Sequence, residues 1–75
     1  MSPASPLFQR VLGANIHRLR TQARQTQRVL AESSGTHLRY IQKIEAGTAN
    51  VSLEVLIRLR KALGCRFSDL LRGLE

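Results

Sequence analysis

The sequence predicts an all-α fold of five short helices. Three observations carry this: apolar residues recur at helical spacing in each long segment, small polar residues precede those segments, and glycines close most of them. No run alternates polar and apolar residues as a strand would. At 75 residues the chain makes one domain, close to the smallest size at which a single core supports folding.

Each element has its own signals. Residues 1–5 are small and Pro-interrupted and read as a flexible N-terminal arm, so the domain proper is expected at 6–75. Ser5 is placed to cap a first helix, and Pro6 suits a first turn. Phe8, Val11, Leu12, Ile16, Leu19 and Ala23 form its apolar stripe, with Arg10, Arg18 and Arg20 on the wet face, which puts helix 1 at about 6–23. Thr26 caps a second helix over 27–34, and Gly35 ends it by accepting a left-handed backbone. A third helix over about 37–46 carries Leu38, Ile41 and Ile44 on one stripe and closes at Gly47. After a loop, Ser52 caps a fourth helix over about 52–63, with Leu53, Leu56, Ile57 and Leu63 as its stripe and Gly64 as its stop. Ser68, with Asp69 in the first turn, starts a last helix over about 68–74.

Charge narrows the function. Twelve Lys and Arg face five acidic residues, a net charge of +7, which on so small a domain favours a polyanionic partner. Only three aromatics are present (Phe8, Tyr40, Phe67), too few for a platform that stacks single-stranded bases, so duplex DNA is favoured. The single cysteine, Cys65, makes no internal disulfide and reads as a core residue. No apolar run reaches the length of a membrane span, and no charged segment followed by an apolar run opens the chain, so a cytoplasmic location without membrane contact is expected. His17 and His37 lie on different helices with no cysteine or carboxylate at ligand spacing, so no metal is expected. Nothing pairs a nucleophile with a base; the expectation is a binding protein, not an enzyme, with no cofactor and no small-molecule ligand.

Helices 2 and 3, joined by a tight turn at Gly35, form a helix-turn-helix unit. Its second helix seats through Ile41 and Ile44, which leaves His37, Arg39, Gln42 and Lys43 free to point outward. Arg and Lys donate to guanine O6 and N7, and Gln pairs with adenine.

Along the chain stand, in order, Leu12-Gly13-Ala14-Asn15-Ile16-His17-Arg18-Leu19-Arg20, Thr26-Gln27 with Leu30-Ala31-Glu32, Gly35, Tyr40-Ile41-Gln42-Lys43-Ile44-Glu45 with Gly47, Asn50 with Ser52-Leu53, and Ala62-Leu63-Gly64. In these residues and their order the chain resembles the Cro/C1 (Xre) family of phage and bacterial regulators. The resemblance implies a compact, lambda-repressor-like five-helix domain that binds double-stranded DNA and regulates transcription. It implies that His37, Leu38, Arg39, Gln42 and Lys43 face bases or adjacent phosphates, that Thr26, Gln27 and Asn50 meet phosphates, and that Arg20 and Glu45 form a structural ion pair.

Four positions depart from the family pattern. Arg24 and Gln25 stand where glycine and an aliphatic residue are usual, which predicts a looser turn between helices 1 and 2. Arg60 falls on the core-facing side of helix 4 in place of a small residue, so either its stem runs along the core toward water or the helix end is shifted. Leu38 is apolar where a polar residue is common, and serves a thymine methyl or the turn. A symmetric homodimer on a palindromic operator is expected, with Phe67, Leu70, Leu71 and Leu74 as its interface and Leu70 and Leu74 as the surplus apolar groups. A repressor or a restriction-modification controller fits these features; a DNA-binding antitoxin, or an interaction module that kept the fold without DNA binding, are the alternatives.

Overall fold

Thr26 and Ser52 turn their hydroxyl oxygens onto the Val29 and Val55 amides, which donate at 3.0 and 3.2 Å, and each opens a helix by satisfying a backbone N–H that has no helical partner. Gly35 and Gly64 close the same two helices at φ 70° and 64°, where a Cβ is strained. The computed structural model describes residues 6–74, so the expected arm at 1–5 and the last residue lie outside the described residues. Five helices follow one another: α1 (Leu7–Gln22), α2 (Gln27–Ser34), α3 (Leu38–Glu45), α4 (Leu53–Leu63) and α5 (Phe67–Leu70). No strand occurs among the described residues.

Helix α1 packs on α3 and α5, and α2 packs on α3 and α4, so α3 is held from two sides. Between them lie Leu12, Ile16, Leu30, Ala31, Ile41, Ile44, Ala49, Leu59 and Leu70. Ile16, Leu30, Ile41, Ile44, Leu59 and Leu70 are completely enclosed, and each contributes on the order of 1.5–3 kcal/mol of burial free energy.

Two expectations are corrected here, and the alternative left open at Arg60 is decided. Along one face of α1 the buried residues are Gln9, Leu12, Gly13 and Ile16, with Asn15 buried beside them, whereas Phe8 is half exposed and Ala23 is exposed. That set has the i, i+3, i+4, i+7 spacing of a helix face, but two of its four members are not hydrophobic, so a count of apolar residues settles on a rotated face. In α4 the centre of the stripe is Leu59, flanked by Val55, Leu56, Ala62 and Leu63; Leu53 is 69% exposed. Arg60 is half-buried, with its guanidinium 5.2 Å over the Phe67 ring and Nη1 donating to the Cys65 carbonyl at 3.3 Å. The end of α4 is therefore not shifted; the stem runs along the core and the charge rests on an aromatic face.

The last helix is one turn, not two. Asp69 accepts from the Arg66 amide at 2.9 Å, which sets the start ahead of Ser68. Buried Asn15 then donates from Nδ2 to the carbonyls of Leu70 (2.8 Å) and Arg72 (2.9 Å), and Gly73 turns at φ 93°. A helix ending at Leu70 cannot carry a stripe to Leu74. Leu70 itself is fully enclosed in the chain's own core and is not a surplus surface group.

Candidate nucleic-acid interface

Helix α3 seats by its inner side. Ile41 and Ile44 are enclosed, which turns Arg39, Gln42 and Lys43 to the opposite side, three and four residues apart on one exposed face. None of these three side chains makes a hydrogen bond or ion pair among the described residues, so their donors are free. His37, extended at φ −114°, precedes the helix and is exposed; Leu38 is half-buried.

The flanking turns come from α2 and the α3–α4 loop. Thr26 is exposed beside the start of α2, and Gln27 is half-buried. Asn50 is exposed and doubly tied: its side-chain oxygen accepts from Gln9 Nε2, and its carbonyl accepts from the Tyr40 hydroxyl at 2.8 Å. Burial pushes the Tyr40 phenol up from its ordinary value of 10.0. Gln9, a buried polar residue on α1, gave no functional signal in the sequence because its partner lies 41 residues away.

Behind this surface Arg20 of α1 meets Glu45, the last residue of α3. Arg20 Nε lies 2.6 Å from Glu45 Oε2 and Nη2 lies 3.1 Å from Oε1; the two side chains are only 12% and 6% exposed. Arg20 Nη1 also donates to the Gln25 carbonyl at 2.8 Å, tying the α1–α2 turn to the same pair. His17 Nδ1 (3.0 Å) and Gln27 Nε2 (3.1 Å) reach Glu45 Oε1 as well. Burial alone would raise the Glu45 carboxyl, but hydrogen bonds from Arg20, His17 and Gln27, with the Arg20 charge, outweigh it and hold it below the usual carboxylate range. His17, whose side chain is 59% exposed, is the solvent-facing member of this cluster.

The α1–α2 turn is hydrogen-bonded rather than loose. Arg24 takes φ 58°, the left-handed conformation that glycine usually supplies, and Gln25 Nε2 donates to the Ala62 carbonyl at 3.3 Å. Cys65 is half-buried against the core, and burial pushes its thiol up, away from the thiolate. Among the described residues no group of three or more His, Cys, Asp or Glu is placed to hold a metal, and no helix is long and apolar enough to cross a membrane.

Residues 16–70 match the helix-turn-helix family. The control protein C.BamHI of Bacillus amyloliquefaciens is 37% identical over 62 residues, covering 81% of this chain and 76% of that protein. Among solved structures, the clp gene regulator ClgR of Corynebacterium glutamicum is 36% identical with a TM-score of 0.83, covering 88% of this chain and 86% of its own. The restriction-modification controller protein C.AhdI of Aeromonas hydrophila is 32% identical with a TM-score of 0.80, covering 83% and 94%.

Proposed function

The chain belongs to the helix-turn-helix family of the Cro/C1 type, and from that premise we propose a transcriptional regulator that reads duplex DNA with α3 in the major groove. The observation that carries this is the outer face of α3. Arg39, Gln42 and Lys43 stand free on one side of a helix whose other side is locked into the core, and these are the donors that base edges accept. His37 and Leu38 lie at the leading end of the same helix, where groove contacts begin.

Thr26 and Gln27 at the start of α2, and Asn50 in the loop after α3, flank that face and are read as phosphate contacts that set its register. The net charge of +7 supplies the long-range attraction. The similarity to C.BamHI and C.AhdI favours a controller setting, in which the protein acts in the cytoplasm as a binding protein without catalysis.

One reading helix spans few base pairs, so a symmetric homodimer on a palindromic operator is part of the proposal, with half-sites about 34 Å apart. With Leu70 in the core, the surface offered to a second copy is Phe67 and Leu71, which are 39% and 36% exposed, together with half-buried Leu74. Selection of bound duplexes from a random library tests the whole reading. Recovery of a symmetric site is expected; retention of no duplex at low salt overturns it.

A further inference from the structure

The Glu45 carboxylate sits inside the fold; Arg20 donates to it through Nε and Nη2 and Gln27 through Nε2, and His17 Nδ1 stands 3.0 Å from Oε1. An ionised carboxylate accepts hydrogen bonds and donates none. The Gln27 amide can therefore face Glu45 only with its NH2 group, never with its oxygen, which removes the usual ambiguity in the orientation of an amide.

An amide nitrogen carries two hydrogens, and one of them is spent on Glu45. We propose that Glu45 is a positioning residue for DNA binding: by holding one N–H of Gln27 it fixes the direction of the other, which is presented to a backbone phosphate. This rests on the reading that Gln27 meets DNA. It adds to that reading a mechanical link, because Glu45 is also the last residue of α3. The phosphate contact at the start of α2 and the base contacts of α3 are thereby referred to one carboxylate, and Arg20 ties that carboxylate to α1. A glutamine held in this way loses little rotamer freedom when it binds, so the contact is preorganised.

A double-mutant cycle on one operator duplex tests this with Glu45→Gln, Gln27→Ala and the pair. Removal of a negative charge would by itself favour DNA, so a loss of affinity runs against the electrostatic trend. Glu45→Gln is expected to weaken binding about three- to tenfold in the native background, the scale of one lost hydrogen bond, and to add nothing in the Gln27→Ala background. Equal losses in both backgrounds overturn the proposal while leaving DNA binding itself intact. Where Glu45→Gln does not fold, the native protein decides by NMR: the Gln27 Nε2 nitrogen shift is expected to follow the Glu45 carboxyl titration with one midpoint. A Gln27 amide that stays unmoved through that titration overturns it.

Discussion

Gly13 of α1 lies against the Ile44 carbonyl of α3 so closely that a Cβ built on it would stand 2.1 Å from that oxygen and 3.2 Å from the Glu45 carbonyl. Both partners are backbone and cannot rotate away. Gly13→Ala must push α3 off α1, disturbing both the seat of α3 and the Arg20–Glu45 pair. A loss of about 3 kcal/mol in chemical denaturation is expected, at the upper end of overpacking costs. An unchanged midpoint would mean that the helices do not approach this closely in solution.

Glu45→Ala removes one side of a largely enclosed ion pair and leaves the Arg20 guanidinium without its counter-charge. The expected cost is about 3 kcal/mol, visible as a fall in melting temperature at neutral pH. The native protein carries the same dependence on proton concentration. Because the folded state holds the Glu45 carboxyl below its ordinary value of 4.5, the stabilisation is complete above that value and is lost as pH falls through the lowered one. Melting curves between neutral pH and pH 3 are expected to show this acid loss, and the alanine variant is expected to show less of it.

Arg24 holds a left-handed conformation that is unfavourable for a residue with a Cβ, and its side chain makes no hydrogen bond or ion pair among the described residues. Arg24→Gly relieves that strain but adds freedom to the unfolded chain. The balance is expected to raise stability by about 0.5–1 kcal/mol. A lower melting temperature would contradict the observed backbone.

The proposed base and phosphate contacts are expected to separate by specificity. Arg39→Ala and Lys43→Ala are each expected to cost about 1–3 kcal/mol on the selected site and little on random duplex. Gln27→Ala is expected to weaken both alike, since phosphates carry no sequence information. If a dimer neutralises about 6 phosphates, the log–log dependence of affinity on salt has a slope of about −5. A flat salt response, or equal effects of all three variants on both duplexes, removes these assignments.

The proposed dimer surface is expected to separate from the core within α5 and its cap. Leu71→Asp is expected to yield a folded monomer in sedimentation at tens of micromolar, a range set by the affinity of modest interfaces. Leu70→Asp is expected to unfold the chain instead, because it places a charge in the enclosed core. A native chain that sediments as a monomer, or a Leu71→Asp chain that remains a dimer, defeats this interface.

Local chemistry made most of the fold legible. Thr26, Ser52, Gly35 and Gly64 act through groups within a few residues of themselves, so the bounds of α2 and α4 follow from caps and stops that the sequence displays. The outer face of α3 was readable for the same reason: Ile41 and Ile44 fix one side of a helix, and the opposite side follows from its period. Arg20 and Glu45 came from resemblance, since nothing local to either points to a partner 25 residues away.

Contacts between distant elements decided the rest. Gln9, Gly13 and Asn15 complete the buried arc of α1, yet their burial depends on the Asn50 side chain, the Ile44 carbonyl and the carbonyls of Leu70 and Arg72. No hydrophobic periodicity announces a polar residue that is buried because a distant acceptor awaits it. The same holds for α5, whose leucines read as one helical stripe until Asn15 captures the backbone and ends the helix. Capping and periodicity act over a turn or two and are written in neighbouring residues; a shared oxygen such as Glu45 Oε1 exists only once three helices have packed around it.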